Sequence, residues 1–148
     1  MRRKKDARYY QKGFTLIEIL IVVVIIGFLT ATISPELFNR VSQAKQTTTR
    51  NQLDILKLAL DNYWLDNGHY PTTEQGLQAL VEEPTIPPLP INWRGPYLEK
   101  KIVPVDSWGT QYQYLNPGVQ NTHRYDLWSW GADYKEGGSG ENSDITNW

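Results

Sequence analysis

From Phe14 to Ile33 the chain carries one ionisable side chain, Glu18, inside an otherwise apolar run, FTLIEILIVVVIIGFLTATI. About 20 residues at 1.5 Å each cover about 30 Å, the thickness of a bilayer core. The run limits what the remainder can be. The chain has 148 residues, which leaves roughly 110 for a soluble part with a small core. There is no cysteine, so neither a disulfide nor a thiolate metal site can staple that part. The formal net charge of −1 is unevenly placed. Arg2, Arg3, Lys4, Lys5, Arg8 and Lys12 precede Phe14 against one acid, Asp6, and the body is acidic. A basic leader before an apolar run is a membrane orientation signal that keeps the leader cytoplasmic. An acidic body does not suit nucleic acid.

A cleaved secretory signal would be shorter and would close on a small-x-small site. Here Ser34-Pro35-Glu36 leads straight into a helical pattern instead. A plain anchor leaves Glu18 unexplained, because a carboxylate at mid-bilayer costs roughly 3 kcal/mol. Near the start of the span the cost is lower, yet the group still calls for a positive partner. Gly13-Phe14-Thr15-Leu16-Ile17-Glu18, behind a basic leader and ahead of an apolar run, resembles the class III signal of type IV pilins and pseudopilins. The resemblance implies a prepilin peptidase that cuts between Gly13 and Phe14 and methylates the new amine of Phe14. A flexible glycine before the bond suits a protease that needs extended backbone. The freed amine offers Glu18 a partner, either one helical turn away in the same chain or on a neighbour in a filament. Gly27 and Pro35 weaken helix near the end of the run. They mark either a kink at the membrane surface or, by the resemblance, a segment that unwinds in a filament.

Apolar residues then recur at Leu37, Val41 and Ala44, and again at Leu53, Leu56, Leu60 and Tyr63, on one helical face. Asn67-Gly68 is a stop signal. One helix is predicted from Phe14 to about Asp66, about 80 Å long if unbroken. The polar stretch Gln46 to Gln52 is expected to have little core beneath it. After the helix, Thr72 or Thr73 can cap a short helix, with Gln75 or Gly76 next in line. Pro84 through Pro96 reads as a loop. Gln111 to Leu115 reads as a strand, Asn116-Pro117-Gly118 as a turn, and Tyr125 to Trp130 as the returning strand. The tyrosines and tryptophans read as core and strand-pair residues. His69 and His123 are isolated, with no triad, zinc-helix or phosphate-loop spacing near them. The chain reads as the substrate of a peptidase rather than as an enzyme.

YPTTEQGLQALV, GPYL, the Asp-x-Trp-Gly step at Asp106 to Gly109 and a closing Asp-Ile-x-Asn-Trp resemble the major pseudopilin family of type II secretion, from Lys12 onward. The resemblance implies an α+β, type IV pilin-like fold. Residues 1–13 would be a cleaved leader, 14–34 a hydrophobic transmembrane and assembly helix, 35–67 its continuation as a spine, and 68–148 a periplasmic head with a short antiparallel sheet. It implies a structural subunit of a homopolymeric filament that drives protein export across the outer membrane. The implied partners are further copies of itself, minor pseudopilins, the prepilin peptidase, an inner-membrane assembly platform and membrane lipid, with no nucleic acid. The implied place is the bacterial inner membrane, single-pass, with the head in the periplasm. Four positions depart from the family pattern. Ser107 stands where proline often follows Asp106, Gln111 where proline often precedes Tyr112, Trp130 where leucine is common, and Tyr134 where glycine is common. Two other readings are a true type IV pilin, which usually carries a disulfide loop that this chain lacks, and a single-pass periplasmic protein with calcium-dependent ligand recognition.

Gly131 to Asp144 is rich in oxygen donors and glycine and has no histidine. Such chemistry suits a hard cation such as calcium. The ladder of an EF-hand is missing, and by spacing alone the segment reads first as a flexible Gly/Ser tail. The resemblance implies Ca2+ in this loop. Asp133 and Asp144 would supply carboxylates, the carbonyls of Trp130 and Lys135 and also Ser139 would contribute, and Glu136 and Glu141 are nearby candidates. An ion linking both ends of the loop would make binding free energy part of folding free energy.

Overall fold

The computed structural model of the chain describes residues 13–31 and 35–148. They fall in two compact units, one ending at Phe38 and one running Asn39–Trp148. In the first, α1 spans Leu16–Ala31. Its apolar side chains are exposed on every side, from Val22 at 49% to Leu16 at 87%. An all-round apolar helix needs lipid or other protein around it. Among the described residues no helix is long and apolar enough to cross a membrane. The 16 residues of α1 cover about 24 Å, short of a bilayer core of about 30 Å. The expected span of 14–34 and the expected unbroken spine both run through residues 32–34, which lie outside the described residues.

The second helix, α2, spans Pro35–Asn67. Proline suits a first helical turn, where its missing N–H costs nothing. The helix ends where expected: Gly68 takes φ +77° and its N–H reaches the Trp64 carbonyl at 2.7 Å. A left-handed glycine of this kind closes a helix without a Cβ penalty. The predicted seam is real over the second half of α2, with Leu56, Leu60 and Tyr63 fully buried and Leu53 nearly so. Leu37 and Val41, on the earlier part, are exposed. Leu80, Leu98, Tyr112, Tyr125, Leu127 and Ile145 are among the core residues packed around that seam.

The polar stretch of α2 departs from expectation. Thr49 is fully buried. Its hydroxyl donates to Ser107 Oγ at 2.9 Å and accepts the Ser107 N–H at 3.1 Å. Ser107 Oγ donates in turn to the Lys45 carbonyl, and Tyr112 OH donates to the Thr49 carbonyl. Packing beneath this stretch is polar rather than absent, and apolar periodicity cannot register it.

Thr72 and Gln75 exchange bonds, Thr72 N–H to Gln75 Oε1 and Gln75 N–H to Thr72 Oγ1, but the expected threonine cap of the short helix is absent, since Gly76 opens it with no side-chain cap. The expected short helix is a 3-10 turn, Leu77–Leu80, which Gly76 enters at φ +59°. The Gln75 amide also donates to the Ile86 and Pro88 carbonyls and pins the proline-rich loop. Strands β1 (Gln113–Leu115), β2 (Asp126–Ser129) and β3 (Ile145–Thr146) form one antiparallel sheet in that order. The first two were legible. Strand β3 was not, since two residues are too few to show a period of two.

Two buried aspartates hold the turns of the sheet. Asp106 Oδ1 accepts the N–H groups of Trp108 and Thr110, and its Oδ2 accepts Ser129 Oγ at 2.5 Å. Asp126 accepts the N–H groups of Val119, Gln120 and Asn121 at 2.6–2.8 Å. A Cβ on Gly118 would lie 2.6 Å from Asp126 Oδ1, so only glycine fits there. Burial works against the charged form of Asp126, but the three backbone donors outweigh it and hold the carboxyl below its ordinary value. Its stabilisation is therefore present above the ordinary carboxylate pKa, near 4, and is lost as pH falls through the lowered folded value. Asp126→Asn turns an amide donor or a neutral acceptor toward those N–H groups. It should cost the head about 3 kcal/mol at neutral pH and flatten the acid limb of its stability. Urea unfolding of the detergent-solubilised chain at pH 7 and pH 3, monitored by tryptophan fluorescence, measures both effects.

Candidate functional site

Two regions carry candidate chemistry, and each stands in its own unit. At the N-terminal side, Gly13, Phe14 and Thr15 precede α1 without regular structure, and Phe14 is 85% exposed. The Gly13-Phe14 bond thus lies outside the helix. Glu18 has a local partner that sequence reasoning missed. Glu18 Oε2 accepts the Thr15 N–H at 2.7 Å and the Thr15 hydroxyl at 2.8 Å, and the Glu18 N–H points back to Thr15 Oγ1 at 3.3 Å. This is a capping box, and its signal, Thr-x-x-Glu before an apolar run, stood in the sequence. The Glu18 carboxylate thus closes the first turn of α1 within the single chain. Further along, Gly27 lies within α1, and Thr30 Oγ1 donates to the Ile26 and Gly27 carbonyls.

At the C-terminal side, the chain leaves β2 through Gly131 at φ +70°. The two limbs of the loop then lie backbone against backbone. A Cβ on Gly131 would sit 2.8 Å from the Glu141 carbonyl oxygen, and one on Gly138 would collide with that of Asn142. Ala132 N–H donates to the Glu141 carbonyl, and Gly137 N–H donates to Asp144 Oδ2 at 2.8 Å. Asp133 Oδ1 accepts the Lys135 N–H at 3.3 Å. The Ser139 carbonyl accepts the Asn142 N–H at 3.2 Å. Trp130 is half-buried at the root of the loop, its ring edge-on to Trp128. Lys135 and Glu136 are exposed on the outer limb.

One atom stands out. Asp144 Oδ1 is buried and has no hydrogen-bond partner among the described residues. A buried carboxylate oxygen left unpaired is costly unless a cation compensates it. No three His, Cys, Asp or Glu side chains come together as metal ligands among the described residues. A cation here would have to draw on backbone carbonyls, which is how calcium reaches its 6–8 oxygens. The donor chemistry of the loop and the orphaned Asp144 oxygen fit that ion.

An exposed apolar helix and a second helix buried along one seam of a small three-stranded head are the parts of a pilin-like structural subunit. Residues 36–148 match the family model "Type II secretion system (T2SS), protein G", and residues 8–34 match "Prokaryotic N-terminal methylation motif". The type II secretion system core protein G of Pseudomonas aeruginosa is 51% identical over 95% of this chain and 97% of that protein. That of Vibrio cholerae is 47% identical over 93% of this chain and 92% of its own length. The crystal structure of the major pseudopilin from the type 2 secretion system of enterohaemorrhagic Escherichia coli aligns with a TM-score of 0.64 at 40% identity. It covers 78% of this chain and 96% of its own. The chain belongs to the protein G family of the type II secretion system. It is a structural pseudopilus subunit and not an enzyme.

Tyr134, at a position where the family resemblance leads one to expect glycine, takes φ +58°. A side chain in this left-handed region costs about 1 kcal/mol, and glycine removes the cost. Tyr134→Gly gives up a long bond of 3.3 Å from its hydroxyl to the Trp108 carbonyl. The substitution should still stabilise the head, raising its Tm by about 4 °C in thermal unfolding.

Proposed function

We propose that the chain is cut between Gly13 and Phe14, methylated at Phe14 and assembled through α1 into a periplasmic filament that drives protein export across the outer membrane. The observation that carries this reading is the all-round exposure of the apolar side chains of α1. Outside lipid such a surface must bury itself against copies of the same helix. Before assembly the chain sits once through the inner membrane, its basic leader cytoplasmic and its head periplasmic. The prepilin peptidase, minor pseudopilins and the assembly platform are the partners that this life cycle requires.

Glu18 has a defined part in it. In the single chain its carboxylate is held by Thr15. Cleavage creates a positive amine at Phe14, and in the filament Glu18 of one subunit neutralises that amine on a neighbour. Two charges buried together favour correct register, since either alone is expensive. Glutamine can still close a capping box but carries no charge. Glu18→Gln should therefore leave α1 folded and the precursor cleaved while filaments fall to near background, as judged by electron microscopy and shearing assays. Filaments of normal number from Glu18→Gln would remove the charge-pairing step.

The loop from Trp130 to Asp144 is the proposed calcium site. Asp133 and Asp144 would hold the ion with the carbonyls of Trp130 and Lys135 and with Ser139. A bound ion supplies positive charge to the unpartnered Asp144 oxygen and ties the two limbs together. Asp144 already grips the outer limb through Gly137, so it is the residue through which the loop closes. Chelation should lower the Tm of the head by several degrees, and Asp133→Ala should remove the difference between chelated and calcium-loaded protein. An identical melting curve with and without chelator in the unmodified chain would overturn the assignment.

A further inference from the structure

Gln43, Gln46, Thr47 and Arg50 of α2 line a shallow, open groove. Little apolar packing holds this segment, so its docking depends on named hydrogen bonds. One group runs through Thr49, Ser107 and Lys45. Another bond comes from the C-terminal loop. Gln46 Nε2 donates to the Gly140 carbonyl at 2.6 Å, across 94 positions of sequence. Gly140 opens the 3-10 turn Gly140–Asn142 at φ +61°. That turn is held to the opposite limb by Ala132 N–H on the Glu141 carbonyl, and the loop is closed below it by Gly137 N–H on Asp144. The direction in which the Gly140 carbonyl points therefore depends on closure of the loop around Asp144, whose second oxygen has no hydrogen-bond partner among the described residues.

We propose that Gln46 is the clasp through which cation occupancy of the C-terminal loop sets how firmly residues 43–50 of α2 are docked on the head. The proposal rests on the calcium reading above. Calcium closes the loop around Asp144, the Gly140 carbonyl is presented to Gln46, and that helical turn is held. Without the ion the loop opens, Gln46 loses its acceptor, and the turn exchanges its own bonds with water more often. The Thr49–Ser107 bonds do not pass through Gly140, so the loosening stays local. Opening of this kind is a low-energy event at a weakly packed segment rather than global unfolding. The coupling would stiffen the subunit at this point only where free calcium is abundant.

Amide hydrogen exchange on the full chain in detergent tests the clasp, with calcium alone as ligand and a chelator as its opposite. Calcium should slow exchange in residues 43–50 of the unmodified chain by about fivefold, the factor that one net hydrogen bond contributes. In Gln46→Ala, and in Gln46→Met, which keeps the side-chain volume, calcium should still bind by tryptophan fluorescence titration. The calcium-dependent slowing at 43–50 should vanish in both. Equal slowing in the variants and the unmodified chain would overturn the role of Gln46. Loss of calcium binding in both variants would overturn it too, because Gln46 would then be part of the ion loop itself. Absence of calcium binding by the unmodified chain would instead overturn the ion reading on which the clasp rests.

Discussion

The head is organised around one face of α2. Leu53, Leu56, Leu60 and Tyr63 present a continuous buried seam, and each later element reaches back to it. Leu80 comes from the 3-10 turn, Leu98 from the segment just after the proline-rich loop, Tyr112 from the hairpin region, Leu127 from β2 and Ile145 from β3. A fully buried leucine contributes about 2 kcal/mol, so this seam supplies much of what a head of this size can muster. No disulfide helps it.

Polar groups then fix what the seam leaves loose. Asp106 and Asp126 are acidic side chains used as turn centres, each gathering backbone N–H groups that no strand partner could satisfy. Asp106 also joins Ser129, which accepts the Gly131 N–H at the root of the C-terminal loop. Ser107, one residue on, binds α2 at Thr49 and Lys45. Proline at position 107, the residue the family resemblance suggests, has neither the N–H nor the hydroxyl for those bonds. This chain thus couples its head loop to its spine with a serine that carries two donors.

The N-terminal region obeys a different constraint. The apolar side chains described along its helix are exposed, so its stability as a folded part depends on surroundings. In the single chain Glu18 closes the first turn of its helix through Thr15, and the proposed filament contact asks the same carboxylate for its charge. The capping box needs only an acceptor three residues after Thr15, whereas a register device needs a negative charge. A carboxylate satisfies both at no extra length of chain.

Much of this was legible from residue order alone. The apolar run with its single acid, the 53-56-60-63 seam, the Asn67-Gly68 stop and the first two strands all arise from periodicity and local backbone preference, which act over a few residues. The capping box at Thr15 was equally local and was overlooked. Other features depended on residues far apart in sequence meeting in space. Burial of Thr49 against Ser107, the third strand at Ile145–Thr146, the grip of Gln46 on Gly140 and the orphaned Asp144 oxygen each depend on contacts that only the packed head creates. Local sequence determined which segments coil, turn or extend, because propensity and periodicity are short-range. Tertiary structure decided which polar groups were satisfied and which were left waiting, because a buried hydrogen bond is set by where distant backbone comes to rest.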